Sequence, residues 1–352
     1  MFAGELADFE QVRGLVEAEF EVEEGFVEYG VPTFFVRLRQ DSKQGFLRLF
    51  ERLGSAGFVP VLKRREGRVV LQVVRRPPLA PSRWIMNVVL FLVTVGTVTV
   101  TGYMLSVEWV GKGLMSNPLV GAGMFTAALM AVLGVHEMGH KLAAYKHRVE
   151  ASFPFFIPGP PAPFGIGTFG AVIQQRSLAP NKDALFDLGM SGPVAGFLVA
   201  VLVTVVGVRL SLLIPLSAVP PGAEFLEMPM LFELIVTMFP PKGAGEVIWL
   251  HPVAFAGWVG MLVTMLNLVP AGMLDGGHAT RGLLGRNART ALSFAGILVL
   301  IILGHYLMAM VVFFLSLQRH PGPLDDVSKL TTSRKLATVF LVLIFVLCAA
   351  PI

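Results

Sequence analysis

Two histidines and a glutamate at fixed spacing are the residues of this chain best suited to chemistry. His136, Glu137 and His140 form an H-E-x-x-H motif inside a hydrophobic stretch. On an α-helix the two histidines project from one face and can bind one Zn²⁺, while Glu137 lies beside the open coordination position as a general base. The leading hypothesis is therefore a hydrolase that works inside a lipid bilayer.

A catalytic zinc usually has three protein ligands, so this motif leaves one ligand to be found. Asp275 is the best candidate, because it ends an apolar run in which Pro270 and Gly272 interrupt the helix and let the chain turn the carboxylate inward. The alternative is a carboxylate that only marks the membrane surface. The predicted topology brings both segments to the same side of the membrane, so the sequence favours Asp275 as third ligand and one zinc ion per chain.

The composition places this chemistry in a membrane. Of the 352 residues 54% are hydrophobic and only 15% are charged, and the mean hydropathy is +0.70. These values exclude an ordinary soluble enzyme. Residues 1–83 hold 13 of the 28 Lys and Arg and 12 of the 24 Asp and Glu. We therefore expect a soluble N-terminal domain and linker over 1–83 and a transmembrane domain over 84–352, with its core at 118–280.

The N-terminal residues have the pattern of a small α+β domain. Hydrophobic periodicity predicts the order αββαββ, with helices over 5–19 and 43–54, strands over 20–29 and 31–38, and a hairpin over 58–64 and 68–76. The domain lacks a cluster of catalytic residue types, so we expect a regulatory, docking or oligomerisation role. A nucleic-acid partner is not expected, although the isoelectric point is near 9.3, because basic loops of a membrane protein explain the charge.

Apolar runs predict a polytopic α-helical membrane protein with six or more transmembrane helices. The predicted spans are 84–106, 118–147, 184–208, 250–272, 290–318 and 336–351. Basic residues near the last span favour the cytosol, which six simple spans do not allow, so one extra crossing is expected near 211–240 or 290–318.

The orientation follows from the basic residues. Lys and Arg are concentrated after the second and fourth spans, which places these two loops in the cytosol by the positive-inside rule. The acidic N-terminus, with Glu5, Asp8 and Glu10, lacks the features of a cleaved signal peptide. We expect an integral multi-pass protein of a prokaryotic cell membrane, with its N-terminal domain in the cytosol.

The segment that follows the motif, residues 151–173, is unsuited to a plain membrane helix. It contains five prolines and then a β-like stretch. One interpretation is a re-entrant loop with an edge strand that pairs with an unwound substrate; the other is an inert connector. On the first interpretation the substrate-binding residues are Gly167, Thr168, Phe169, Gly170, Ala171 and Val172.

The chain resembles the site-2 proteases, a family of zinc intramembrane metalloproteases. The resemblance rests on H-E-x-x-H at 136–140 and on N-x-x-P-x-x-x-L-D-G at 267–276, with further support from 167–173 and 187–197. The stretch His320–Val327 brings the resemblance nearest to the archaeal, cyanobacterial and plastid branch. The similarity covers about 118–335.

This resemblance implies roles for the matching positions. His136, His140 and Asp275 bind zinc, Glu137 activates water, and Asn267 helps to stabilise the oxyanion. The implied function is a zinc-dependent endopeptidase that cleaves transmembrane segments of membrane proteins near the cytosolic face. Two alternatives stay open: a zinc or ion transporter, and a catalytically silent relative that binds membrane partners.

Overall fold

The computed structural model describes residues 2–78, 84–220, 222–223, 225–302, 304, 306–317 and 322–349. The N-terminal part contains two helices and four strands in the predicted αββαββ order, which is thereby confirmed. The elements are α1 Phe2–Glu17, β1 Glu21–Glu28, β2 Val31–Arg37, α2 Ser42–Ser55, β3 Phe58–Arg65 and β4 Arg68–Arg75. The end of the predicted linker, residues 79–83, lies outside the described residues.

The four strands form an antiparallel sheet in the order β1-β2-β4-β3, so β3 is an edge strand. The β3–β4 hairpin turns at Glu66 and Gly67, whose φ angles of 51° and 83° suit a two-residue turn. The apolar face of α2 covers the sheet, with Phe46, Leu49 and Leu53 fully buried. This face follows the helical spacing that the sequence predicts.

Three long apolar helices form the centre of the membrane part. They are α3 Trp84–Gly111, α4 Pro118–Lys146 and α5 Lys182–Leu210, with 28, 29 and 29 residues. Each is about 42–44 Å long, enough to cross a hydrocarbon core of about 30 Å. Within the described residues these three are the helices long and apolar enough to span, so the prediction of six or more spans is met only in part.

The apolar run over 211–240 is not the extra crossing that the sequence allowed. It begins with the short strand β7 Leu212–Ile214 and a turn of 3₁₀ helix, and ends with α6 Met230–Met238. The strands β8 Lys242–Gly243 and β9 Val247–Trp249 flank β7 in a small sheet. At nine residues, α6 rises about 14 Å and is too short to span. The prolines of this run break the helix, which is why high hydropathy did not produce a span.

The remaining helices are shorter or broken. They are α7 Pro252–Leu268, α8 Asp275–Ile302, α9 Tyr306–Leu317 and α10 Thr332–Cys348. Helix α8 is interrupted at Gly285, whose φ of 83° is not helical, and α9 packs against α8. The predicted span over 290–318, one of the two places where an extra crossing was expected, is therefore two short helices on either side of Gly304. Cys348, at the end of α10, is a buried free thiol.

A β-hairpin follows α4, and its second strand lies in the stretch that the sequence indicates as β-like. Strands β5 Phe155–Pro158 and β6 Thr168–Val172 pair antiparallel, with an irregularity between Ile157 and Pro158. Phe156 packs in the apolar cluster with α3 and α4. The β5–β6 hairpin therefore lies against the helices that surround the motif.

Polar side chains of α3 hold this hairpin. Asn87, Thr97 and Thr101 lie on a mostly apolar helix and all bond to the backbone of residues 153–167. Asn87 donates to the carbonyl oxygens of Phe153 and Pro154 (2.8 Å each), Thr97 donates to that of Gly167 (2.6 Å), and Thr101 accepts from the N–H of Ala162 (3.2 Å). From Asn87 to Thr101 the helix rises about 21 Å, so the hairpin follows α3 for more than half of a bilayer core.

Candidate metal centre

Helix α4 presents the H-E-x-x-H residues to the protein interior. His136, Glu137 and His140 are 4%, 5% and 7% exposed. The helix begins at Pro118 behind the N-cap Asn117, whose side chain accepts from the N–H of Leu119. His136 lies about 27 Å along α4 from that start, so the motif is in the second half of the helix.

The chain brings Asp275 to the motif by ending one helix and starting another. Helix α7 ends at Leu268, and Asp275 is the first residue of α8. The connector contains Pro270, which lacks the N–H that a helix needs. At Gly276, the second residue of α8, a Cβ would clash with the carbonyl group of Leu268. The tight turn thus directs the carboxylate of Asp275 toward α4, as the sequence predicts.

The three side chains meet although His136 and Asp275 are 139 residues apart in sequence. The Nε2 atom of His136 is 3.2 Å from Oδ2 of Asp275 and 3.2 Å from Nε2 of His140. The Nε2 atom of His140 is 3.3 Å from the same Oδ2. The ligand atoms of all three residues lie within 4.8 Å of one another.

This donor set fits zinc. Zinc–ligand bonds of about 2.0–2.1 Å in a tetrahedron separate neighbouring ligand atoms by about 3.3 Å, which matches the three distances. Two neutral imidazoles and one carboxylate are the ligand types of many catalytic zinc sites, and three protein ligands leave one position open.

A backbone carbonyl fixes the orientation of one ligand. The Nδ1 atom of His140 lies 2.7 Å from the carbonyl oxygen of Leu188 on α5. A carbonyl oxygen only accepts, so Nδ1 carries the proton and donates it. The Nε2 atom of His140 is then unprotonated and directed to the metal position, which is how outer contacts usually prepare a histidine ligand.

Three glycines of α5 make room for the ligands, and sequence reasoning missed this role. A Cβ at Gly192 would overlap the imidazole of His140, and one at Gly196 would come within 2.9 Å of Nδ1 of His136. A Cβ at Gly189 would come within 2.6 Å of the backbone oxygen of Asp275. The signal was present, because small residues at spacings of three and four line one face of a helix.

Glu137 is close to the metal position but is separate from the donor set. Its carboxylate lies near the backbone of Ile173, directly after β6. The ligand group consists of His136, His140 and Asp275 without Glu137. A buried carboxylate beside a metal and outside its ligand set has the placement that a general base requires.

The other predicted site residues differ in placement. Asn267 is half-buried in the last turn of α7, and its oxyanion role remains a prediction. In β6, Phe169 and Val172 are 71% and 50% exposed. Thr168 is buried and donates to the carbonyl of Ile157. Gly167 is also buried, whereas Gly170 and Ala171 are half-buried.

Comparison with known proteins identifies the family. The sequence profile described as "Peptidase family M50" matches residues 124–303, just over half of the chain. The chain belongs to peptidase family M50. The match covers the whole metal centre and confirms the predicted resemblance to the site-2 proteases.

Plant proteins are among the relatives of this M50 chain. "Probable zinc metalloprotease EGY1, chloroplastic" of Oryza sativa subsp. japonica is 35% identical over 239 residues, which cover 64% of this chain and 40% of that protein. The EGY1 protein of Arabidopsis thaliana is 31% identical over 251 residues, which cover 67% of this chain and 44% of that protein. This chain therefore spans less than half of the length of these relatives. The comparison with solved structures found no match.

These relatives contradict one prediction. A prokaryotic cell membrane was expected from the sequence, but both EGY1 relatives are named as chloroplastic proteins of plants. The EGY2 protein of Arabidopsis thaliana is also named as chloroplastic. It is 30% identical over 170 residues, which cover 48% of this chain and 30% of that protein. The prokaryotic prediction was wrong because basic loops reveal which side of a membrane a segment faces, and carry no information on the organelle.

Proposed function

We propose that this M50 protein is a zinc-dependent endopeptidase that cleaves transmembrane segments of membrane proteins. The convergence of His136, His140 and Asp275 beside Glu137 carries the proposal. These four residues supply a complete ligand set for one zinc ion and a separate base. The zinc-metalloprotease names of the relatives support the same activity.

The catalytic role of each group follows from its chemical type. Bound zinc supplies Lewis acidity toward a water molecule and toward the scissile carbonyl. Glu137 takes the proton of the attacking water and returns it to the leaving nitrogen. Asn267 is proposed to donate its amide N–H to the developing oxyanion.

The β5–β6 hairpin is proposed to present the substrate. A transmembrane helix hides its carbonyl groups in its own hydrogen bonds, so the substrate must unwind before cleavage. Strand β6 pairs with β5 along one edge in a two-stranded sheet, and its other edge is available for an extended peptide. Because the end of β6 lies near Glu137, a peptide on this edge would lie beside the base.

We also propose a membrane position for the shorter helices. Several large apolar side chains on the second half of α8, on α9 and on α10 are more than half exposed, which suits contact with lipid. They include Phe294, Leu298, Phe314, Leu317, Val339 and Leu343. With α7 these helices would complete six or more crossings or partial crossings of the transmembrane domain proposed over 84–352. The names of the relatives support a plastid membrane as its location.

The test uses purified protein in lipid vesicles with a single-span membrane substrate. We expect about one zinc per chain and cleavage inside the substrate span. Glu137→Gln should retain zinc and lose at least 10³-fold in cleavage rate, since it removes the base but no ligand. Glu108→Gln, which removes an exposed carboxylate of α3, is the matched control and should cleave normally.

The same experiment separates the alternatives. An ion transporter does not need a base outside the ligand set, so equal zinc flux in the parent and in Glu137→Gln, without cleavage by either, would favour transport. Proteolysis by Glu137→Gln at the parental rate would contradict the peptidase mechanism. A silent relative would bind zinc and leave the substrate intact in every variant.

A further inference from the structure

Residues 322–331, the clamp segment, lie between the N-terminal domain and the start of α5. At Asp325 the segment forms parallel β-bridges with both Leu62 and Asn181. On one side it bonds to the edge strand β3, where Leu62 donates to the carbonyl of Leu324 (2.9 Å) and accepts from the N–H of Asp326 (3.0 Å). On the other side the N–H groups of Leu324 and Asp325 donate to the carbonyls of Ala179 and Pro180, at 2.9 Å each.

The clamp segment is a fixed part of the fold. Leu324 is 4% exposed and belongs to the apolar core of the N-terminal domain. Asp325 is fully buried, and its Oδ1 accepts from the N–H groups of Val327 and Ser328. Such an Asx turn fixes the direction in which the chain leaves the pairing.

One ion pair connects the clamp segment to the helix that carries Asp275. Arg281, six residues after Asp275 on α8, donates through its two terminal nitrogens to the two carboxylate oxygens of Asp326, at 3.0 and 2.5 Å. The Arg281 side chain is 5% exposed. A two-point arginine–carboxylate pair fixes orientation as well as distance, so Asp326 holds the first turns of α8.

A second set of contacts connects this segment and α10 to α5. Arg334 donates to both oxygens of Asp187 at 2.6 Å, and His147 contacts the same carboxylate at 2.7 Å. The next residue, Leu188, provides the carbonyl that holds His140. One turn earlier, Asp183 accepts from Lys43 of the N-terminal domain and from the N–H of Thr331, at 2.5 and 3.0 Å.

We propose that Asp326 and Arg334 are positioning residues for the metal ligands. Asp326 positions Asp275 through Arg281, and Arg334 positions His140 through Asp187 and the adjoining carbonyl of Leu188. The clamp segment thereby couples the N-terminal domain, through β3 and Lys43, to the geometry of the zinc site. This inference rests on the proposed zinc site and is independent of the peptidase activity.

The physical basis is the narrow tolerance of zinc for ligand geometry. Shifts of a few tenths of an ångström in a ligand weaken binding, and contacts outside the ligand set commonly change metal affinity by about 10–100-fold. The ligands reach the site from α4 and from the start of α8, and α5 packs between them. Loosening either ion pair should therefore weaken zinc binding before the fold is lost.

The experiment measures zinc affinity by chelator competition on the full-length protein. We expect Asp326→Asn, which keeps the shape and removes the charge, to lower zinc affinity about tenfold, and Asp187→Asn to do the same. Arg281→Lys keeps the charge without the two-point geometry and should give an intermediate loss. Asp326→Glu, which keeps the charge, should recover part of the affinity.

Glu51→Gln is the matched control. It breaks the 2.7 Å pair between Glu51 and Arg148, which also joins the N-terminal domain to the membrane part but is 52% and 65% exposed. Exposed pairs contribute little, so this variant should bind zinc as the parent does.

Two results would overturn the proposal. In the first, Asp326→Asn and Asp187→Asn both bind zinc with the parental affinity and only their melting temperatures fall. The two ion pairs would then stabilise the fold without positioning the ligands. The other is an equal affinity loss in Glu51→Gln, which would indicate general loosening. Failure of the peptidase proposal can be distinguished from failure of this one, because zinc affinity is measured without substrate. If the parent protein is inactive but its zinc affinity still depends on Asp326, the enzyme proposal is refuted and the positioning proposal is supported.

Discussion

The metal centre and the β5–β6 hairpin lie side by side but are held in different ways. The two histidine ligands are buried and Asp275 is partly buried. The three ligands are fixed by glycine-lined contacts with α5 and by one backbone carbonyl. The hairpin has exposed residues on β6 and is attached to α3 by a row of polar side chains. The first region is rigid because nothing larger than hydrogen fits between its helices, whereas the second depends on a few hydrogen bonds. Changes in the first region should therefore remove zinc, and changes in the second should spare zinc and impair substrate handling.

The largest effect should come from Gly192→Ala. The added methyl group overlaps the ring of His140, and the backbone of α5 cannot retreat without moving the carbonyl of Leu188. We expect loss of zinc by elemental analysis and no measurable cleavage. Gly123→Ala, on α4, is the control: a Cβ there meets nothing within 4 Å, so zinc should be retained and stability should rise slightly. Normal zinc content in Gly192→Ala would mean that the packing is softer than described.

An intermediate effect is expected from Phe169→Pro in β6. Proline removes a backbone N–H and disturbs the strand, which weakens pairing with an extended peptide. We expect kcat/KM to fall about 10–100-fold, while the zinc content stays at the parental level. Phe169→Ala keeps the backbone N–H and isolates the contribution of the side chain. Loss of zinc in the proline variant would show that the two regions form one structural unit.

The smallest effect should come from Thr97→Val, which removes one hydroxyl at constant shape. Its partner, the carbonyl of Gly167, loses a 2.6 Å hydrogen bond, worth about 1 kcal/mol. We expect a cleavage rate about five times lower, with parental zinc affinity. Thr99→Val on the same helix is the control, because Thr99 bonds to its own helix and to Thr126. Equal losses in both variants would assign the effect to α3 as a whole.

The metal centre was predictable because its residues are rare in apolar helices. His136 and His140 follow from spacing alone, and Asp275 follows from an interrupted apolar run. The role of the α5 glycines was harder to predict from the sequence, since the reason for a glycine becomes apparent only when the element packed against it is known. The same holds for Asn87 and Thr97, whose partners are backbone groups of a loop that periodicity does not place.

The fold was predictable where local pattern decides it. The αββαββ order follows from alternation and from the apolar face of α2. The predicted hairpin over 58–64 and 68–76 is closed by a turn of only two residues, Glu66 and Gly67. High hydropathy over 211–240 did not correspond to a transmembrane helix, because hydropathy measures the preference of side chains for lipid and does not account for the helix breaks that prolines cause. Over 290–318, the other place where an extra crossing was expected, the described residues form two short helices on either side of Gly304, whose φ of 75° ends a helix.

The pairing of Leu324–Asp326 with β3 bears on any attempt to isolate the N-terminal domain. Without that segment, the edge strand β3 exposes unpaired amide and carbonyl groups, which can pair with strands of other molecules. A fragment that ends near residue 78 is therefore expected to aggregate, and one fused to residues 322–331 should stay monomeric. By covering β3, the distant segment thus prevents self-association of the N-terminal domain through this edge.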